Sequence, residues 1–172
     1  TALIHFHRLE DVGDAVPKLL ELRPSALEVM DANTLNLIGR AKHGIPMDAA
    51  ATLLIELDAD ADQIDLRTQA ERMTQLCSSY RLTSDPVIAF DPDQRDQLWK
   101  ARKALYPTLY RFDAKKKPIN FVDDVVVPAD RISELIRYLG EFFAGQRVPV
   151  AIFGHIGNGN AHIIPLLDVN DQ

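Results

Sequence analysis

Short apolar runs alternate along the chain with longer segments in which apolar residues recur every three or four positions. The short runs predict strands, and the longer segments predict amphipathic helices. In the first half the predicted strands are 1–7, 26–30, 52–57 and 86–90. The predicted helices between them are 9–22 and 64–80, and Asp31 is expected to cap an additional short helix that Gly44 to Pro46 ends.

The second half continues this alternation. Asp91 or Asp93 can begin a helix that runs to about Leu105, where Pro107 prevents a regular continuation. Further strands are predicted at 119–127, 148–153 and 161–167, with a helix between Pro128 and Gly145. The apolar run 125–127 favours a central or covered strand. Because the first half has the order β-α-β, extra helix, β-α-β, we expect an α+β fold: a ferredoxin-like antiparallel sheet with helices packed on one face.

Composition narrows the class of protein. The 172 residues are 47% hydrophobic and 26% charged, which is typical of one globular domain. The net charge of −6 argues against a nucleic-acid partner, and no apolar run is long enough to span a membrane. The single Cys77 cannot form an internal disulfide, which fits a reducing compartment such as the cytoplasm, and we expect it to be an inert buried thiol. Because the chain begins without Met and stops just after a strand, we expect residues 1–172 to be a single domain cut from a longer protein.

Positive charge is concentrated in residues 95–117, where eight basic residues stand against Asp96 and Asp113. The remaining chain is strongly acidic. Such a segment could attract a small anion, or it could be a solvated helix followed by a lysine-rich loop. Charge alone leaves both interpretations open.

Residues 154–162 (GHIGNGNAH) carry three glycines between His155 and His162. The glycines indicate a tight loop with positive φ angles or close backbone approach. If the flanking strands pair, both imidazoles lie at one end of the sheet, where two neutral nitrogens can hold a divalent metal. A tight hairpin with two incidental histidines explains the same pattern. A dinucleotide-binding loop is excluded, because a strand and not a helix follows.

Arg102 lies on the apolar stripe of its predicted helix and therefore needs a partner. A guanidinium binds a carboxylate through two hydrogen bonds, so that partner could be a substrate carboxylate. It could equally be an internal acid, for instance in Asp123-Asp124. Because side chains alternate along a strand, these two acids are expected on opposite faces of the sheet, which excludes a paired acid–base dyad. One of them is expected to face the basic segment 95–117. The histidines His5 and His7 are expected to be packing or partly exposed residues.

Four segments resemble one family. The run 154–162 resembles the Gly-His-x-Gly-Asp-Gly-Asn-x-His signature of the FAD-linked oxidases, in the C-terminal substrate domain of flavin-dependent D-2-hydroxyacid dehydrogenases. Residues 98–103 (LWKARK) resemble their Leu-Trp-x-x-Arg element, 123–128 (DDVVVP) their Glu-Asp-x-x-Val-Pro element, and 26–31 (ALEVMD) their Ala-x-Glu-Leu-Met-Asp strand. The four segments occur in the family's order over nearly the whole chain.

The resemblance implies roles for five residues. His155 and His162 match the two metal-binding histidines, for a divalent metal such as Zn or Mn. Arg102 matches the arginine that holds the substrate carboxylate, Asn160 matches an asparagine near substrate and metal, and Tyr106 stands where some members place a substrate-binding threonine. Asn158 replaces the usual Asp of the signature, which leaves the surroundings of the metal open.

The resemblance also implies what this chain does not contain. The third metal ligand and the catalytic base are expected beyond Gln172, and the FAD-binding domain before Thr1, so no catalytic residue is expected within residues 1–172 and the fragment alone should be inactive. The parent is expected to oxidise a small D-2-hydroxyacid with FAD and to pass electrons to an acceptor. An iron–sulfur cluster elsewhere in the parent, a homodimer, and a cytoplasmic or inner-membrane-peripheral location are compatible with it.

Two other functions stay open. One is a stand-alone ferredoxin-like module that binds a ligand or a metal without catalysis. The other is a flavin oxidase acting on a different alcohol, such as an ether lipid or a sugar, and the two histidines argue against it.

Overall fold

The computed structural model describes residues 1–58, 65–120, 124–146, 148–168 and 170. The strands are β1 Ala2–Phe6, β2 Ala26–Asp31, β3 Ala51–Glu56, β4 Val87–Ile88, β5 Lys116–Pro118, β6 Val125–Val126, β7 Val150–Gly154 and β8 Asn160–Asp168. The α-helices are α1 Leu9–Leu20, α2 Ala32–Ile38, α3 Leu66–Cys77, α4 Pro92–Lys103, α5 Leu105–Leu109 and α6 Ile132–Ala144. Single 3-10 turns occupy Arg40–His43, Ala129–Arg131 and Ile156–Asn158.

The strands form an antiparallel sheet in the order β4-β1-β3-β2-β7-β8-β5, and β6 pairs with β8. Strands β1 and β2 flank β3 and are joined through α1, which is the split β-α-β arrangement of ferredoxin-like domains. The predicted α+β fold, an antiparallel sheet with helices packed on it, is confirmed. Strands from the second half extend the sheet at β2, so both halves share one sheet.

Helices cover both faces of this sheet. Strand alternation points Leu27 and Val29 of β2 toward α1 and α6, where they join a buried apolar cluster. The neighbouring Met30 points to the opposite face and joins a second cluster with α2, α4 and α5, as does Phe153 of β7. The sequence pattern placed helices on one face, and the structure adds this second helical layer. The residues with predicted chemistry lie on the second face.

Local capping follows the sequence closely. Asp31 accepts a hydrogen bond from the Thr34 backbone N–H (2.9 Å), and Asp91 accepts one from Gln94 N–H (2.9 Å), so each begins its helix as expected. Cys77 is buried as expected, and burial raises the pKa of its thiol to about 11, which disfavours the reactive thiolate. Among the described residues, none of the helices is both long and apolar enough to cross a membrane.

The segment around Val126 differs from its prediction. It was expected to be central or covered, but β6 has only two residues and the Val126 side chain is 65% exposed. Its apolar run pairs with β8 at the periphery of the described sheet rather than within it. The expected acid Asp123 and the expected helix start at Ile64 lie outside the described residues.

Candidate functional site

The pairing of β2 with β7 brings two distant segments together. Val29 lies opposite Gly154 and Met30 opposite Phe153, so the strand register carries His155 next to Glu28. Glu28 faces the second helical layer because it is one residue from Val29, which faces the first. A charged side chain at this position is enclosed: 5% of the Glu28 side chain is exposed.

Glu28 joins Arg102 to His155. Its Oε2 accepts a hydrogen bond from Arg102 Nε at 2.8 Å, and its Oε1 contacts His155 Nδ1. Arg102 is 12% exposed at its side chain, whereas His155 is 54% exposed. One buried carboxylate therefore holds both a guanidinium and an imidazole at the surface of the sheet.

The ring of Phe153 forms the floor of this site. The Arg102 guanidinium carbon lies 5.0 Å from the Phe153 ring centroid, within the range of a cation–π contact. Tyr106 meets the same ring edge-on at 5.4 Å between centroids, and the His162 ring lies 5.3 Å away. Arg102, Tyr106 and His162 thus surround one fully buried aromatic side chain.

A second carboxylate lies on the β8 side of the site. Asp124 Oδ1 is 3.1 Å from His162 Nδ1 and accepts a hydrogen bond from Asn160 Nδ2 at 2.9 Å. The His155 and His162 rings are 5.6 Å apart between centroids. Asn160 Oδ1 is buried without a hydrogen-bond partner among the described residues, so this acceptor could receive a ligand hydroxyl.

Glycines permit the loop between the two histidines. At Gly159, φ is +73° and an added Cβ would lie 1.9 Å from the Val127 carbonyl oxygen. At Gly154 an added Cβ would lie 2.8 Å from the Asn160 carbonyl oxygen. The predicted close backbone approach is present at both positions.

All five residues predicted for the site come together here: Arg102, Tyr106, Asn160, His155 and His162. The partner of Arg102 is an internal acid, as one interpretation expected, but that acid is Glu28 rather than the suggested Asp123-Asp124 pair. Asp124 contacts His162 and Asn160 instead of the basic segment. Sequence reasoning missed Glu28 and Phe153. A lone glutamate within an apolar strand was the available signal for Glu28, since an enclosed charge requires a partner.

Part of the positive charge in residues 95–117 is used to fasten α4 to the sheet. Arg95 lies 3.5 Å from Glu56 of β3, and the Trp99 indole N–H donates to the same carboxylate at 2.7 Å. Arg102, two turns along α4, makes the matching contact with Glu28 of β2. The solvated-helix interpretation therefore does not describe Arg102, whereas the Arg95 side chain is 54% exposed.

The two imidazoles fit a divalent metal in one respect. Each places its Nδ1 against a carboxylate, which is the orientation typical of metal-binding histidines. Within the described part of the chain, however, no three His, Cys, Asp or Glu side chains cluster as a metal site would require. Two nitrogen donors are present, and a tight site needs more.

A small polar cavity of about 130 Å³ adjoins the Glu28–His155 contact. Ser25 and Asn158 lie on its wall together with both of those residues. The fold and this site define a ferredoxin-like domain that presents an arginine and two histidines on one face of its sheet.

Comparison with known proteins identifies the family. Residues 1–172 match the family described as FAD linked oxidases, C-terminal domain, and the chain belongs to it. It is 26% identical to the glycolate oxidase subunit GlcD of Bacillus subtilis (strain 168), covering 100% of this chain and 36% of that protein. It is 28% identical to the D-lactate dehydrogenase of Anaerostipes hadrus, with coverage of 94% and 34%.

A third relative is the D-2-hydroxyglutarate dehydrogenase of Pantoea ananatis (strain AJ13355), at 25% identity over 90% of this chain and 16% of that protein. The chain spans about a third of the length of the first two relatives. Among solved structures, 4-ethylphenol oxidase from Gulosibacter chungangensis matches with a TM-score of 0.56 and 12% identity, over 99% of this chain and 39% of that one. This last likeness concerns the fold alone.

Proposed function

We propose that the chain is the substrate-binding domain of an FAD-dependent oxidoreductase that oxidises a small D-2-hydroxyacid to the corresponding 2-oxoacid. The observation that carries the proposal is the joining of Arg102 and His155 through buried Glu28, which puts a carboxylate-binding group beside two imidazoles. The relatives support the substrate class, since they are named for glycolate, D-lactate and D-2-hydroxyglutarate.

Arg102 binds the substrate carboxylate. Glu28 occupies only Nε, and among the described residues neither Nη atom of Arg102 has a hydrogen-bond partner. These two nitrogens can therefore donate in parallel to a carboxylate. Tyr106 and Asn160 are further proposed substrate-binding residues: Tyr106 packs on the Phe153 ring that Arg102 also contacts, and Asn160 has an unpartnered oxygen among the described residues.

His155 and His162 would hold a divalent metal such as Zn or Mn near the substrate hydroxyl. A bound metal lowers the pKa of a coordinated hydroxyl and so eases loss of its proton. FAD, bound mainly by a part of the protein outside this chain, supplies the acceptor for the hydride that leaves the α-carbon. This domain binds and orients the substrate, and a base outside the chain removes the hydroxyl proton.

Several further expectations stay predictions. They are a third metal ligand beyond Gln172, the identity of the electron acceptor, an iron–sulfur cluster elsewhere in the parent, a homodimer, and a cytoplasmic or inner-membrane-peripheral location.

The test uses the full-length protein. D- and L-2-hydroxyacids are mixed with it anaerobically, with and without a chelator, and flavin bleaching is followed. The proposal predicts bleaching by D-2-hydroxyacids and slower bleaching after chelation. No bleaching by any hydroxyacid would contradict the proposal and would favour a binding module without catalysis.

A further inference from the structure

We infer that Glu28 is a positioning residue that fixes the tautomer of His155 and couples it to Arg102. The inference rests on the proposed function for its consequence in catalysis, but it concerns an arrangement that can be measured without turnover. Glu28 is the one described residue whose side chain contacts both groups through separate oxygen atoms.

The hydrogen-bonding chemistry of a guanidinium and a carboxylate indicates where the His155 proton lies. Arginine can only donate, so Glu28 Oε2 accepts from Arg102 Nε. A carboxylate also accepts at its other oxygen, so His155 Nδ1 carries the proton in its contact with Oε1. In a neutral imidazole the opposite nitrogen, Nε2, then has its lone pair available.

The buried Glu28 carboxylate therefore determines whether the exposed Nε2 atom of His155 carries a proton or a lone pair. Among the described residues Nε2 has no hydrogen-bond partner, and the His155 side chain is 54% exposed. A lone pair on Nε2 can bind a metal or accept a hydrogen bond from a hydroxyl. In the other neutral tautomer Nε2 carries the proton and can do neither.

Replacing Glu28 by glutamine is expected to change the tautomer of His155, because Arg102 determines how the new amide is oriented. In Glu28→Gln the amide oxygen must turn to Arg102, which has only donors to offer. The amide nitrogen then donates toward His155 Nδ1, which becomes an acceptor. The proton of the imidazole moves to Nε2, so the ring keeps its place but presents the wrong atom.

The chain offers a matched control in Glu56. This glutamate lies on the adjacent strand β3, is 15% exposed at its side chain, and pairs with Arg95 of the same helix α4. It contacts Trp99 rather than a histidine at its other oxygen. Glu56→Gln therefore removes a second strand-to-helix ion pair, between more exposed side chains, without touching His155.

The experiment records imidazole ¹⁵N spectra of full-length protein labelled at histidine, with His155 assigned by its loss in His155→Ala. Wild type and Glu56→Gln are expected to show a protonated Nδ1, and Glu28→Gln a protonated Nε2. Titration with Mn²⁺ alone, followed by electron paramagnetic resonance, is expected to show binding 10- to 100-fold weaker in Glu28→Gln and unchanged in Glu56→Gln. An unchanged His155 spectrum in Glu28→Gln, or an equal change in Glu56→Gln, would overturn the inference.

A double variant keeps the test decisive if Glu28→Gln folds poorly. Glu28→Gln/Arg102→Met leaves no buried charge without a partner and no donor to attract the amide oxygen. The amide is then free to face His155 with either its oxygen or its nitrogen, so the protonated Nδ1 form is expected to reappear as part of a mixture. Protonated Nε2 alone, as in Glu28→Gln, would refute the coupling through Arg102. The proposed function is tested separately by flavin bleaching. If it is wrong, wild-type protein shows no bleaching by hydroxyacids even when the imidazole spectra agree with the inference.

Discussion

Replacing Arg102 by methionine separates its two roles, the internal ion pair and the substrate contact. Methionine keeps an unbranched stem over Phe153 but removes the guanidinium. The Arg102 Nε–Glu28 Oε2 contact is 2.8 Å long between side chains that are 12% and 5% exposed. Removing one partner of such a buried pair lowers the free energy of unfolding by about 3–5 kcal/mol, because the other charge stays buried alone. His155 remains beside Glu28 as a second partner, so we expect the lower end of this range, about 3 kcal/mol.

The catalytic effect has its own magnitude. A hydrogen bond to a charged group contributes about 1.5–3 kcal/mol, which corresponds to roughly 10- to 150-fold in kcat/KM. We expect Arg102→Met to lose this factor for a 2-hydroxyacid and to lose much less for the matching 2-hydroxyamide, which lacks the negative charge. The assay is flavin reduction in the full-length protein with both compounds.

Two controls isolate the substrate contact. In Glu28→Gln/Arg102→Met the stability is expected to recover while the preference for the acid stays lost. Arg95→Met removes an arginine that is 54% exposed and lies 3.5 Å from Glu56, so it should cost at most about 1 kcal/mol and leave the acid preference intact. An equal fall in kcat/KM for acid and amide in Arg102→Met would refute substrate binding and leave Arg102 as a structural ion pair.

Three further predictions concern other parts of the domain. His155→Ala should abolish flavin bleaching by D-2-hydroxyacids while FAD stays bound, as measured by absorbance; normal bleaching would remove His155 from the reaction. Burial of His5, with a smaller effect of Arg40, lowers the pKa of His5 from 6.5 to about 4. The unfolded chain therefore binds a proton at His5 more readily than the folded protein does. The free energy of unfolding should fall as the pH falls from 6.5 toward 4, by up to about 3 kcal/mol. Denaturation at several pH values should show a smaller loss in His5→Gln, and identical pH profiles would argue against this source. Gly159→Ala should destabilise the domain by about 1–3 kcal/mol or more, because Gly159 has φ +73° and an added Cβ would collide with the Val127 carbonyl oxygen. Gly145→Ala is the control: its added Cβ enters open space, so the midpoint of thermal unfolding should change little. Similar effects of both substitutions would contradict the packing described.

The pattern of apolar residues was sufficient to predict the first half of the sheet. Period-two and period-3.6 segments alternate there, and Asp31 and Asp91 begin helices through side-chain contacts that are local in sequence. The segment near Val126 was predicted wrongly because an apolar run shows that a strand can be covered but does not say which part of a protein covers it.

The candidate site was predictable only in part. Arg102 and the two histidines carry local signals: an inward charge on a helix, and a glycine-rich loop with imidazoles on both sides. Their convergence depends on the β2–β7 register, which joins residues more than 120 positions apart. Glu28 was missed for this reason, because its partners become visible only once that register is known.

The most direct measurement is a crystal structure of the full-length protein with a bound 2-oxoacid product. The proposed site predicts that the product carboxylate lies within hydrogen-bond distance of the Arg102 Nη atoms, with the 2-oxo group on the side of the His155 and His162 rings. A product bound away from Arg102, with the Glu28–Arg102 pair unchanged and no ligand over Phe153, would contradict it.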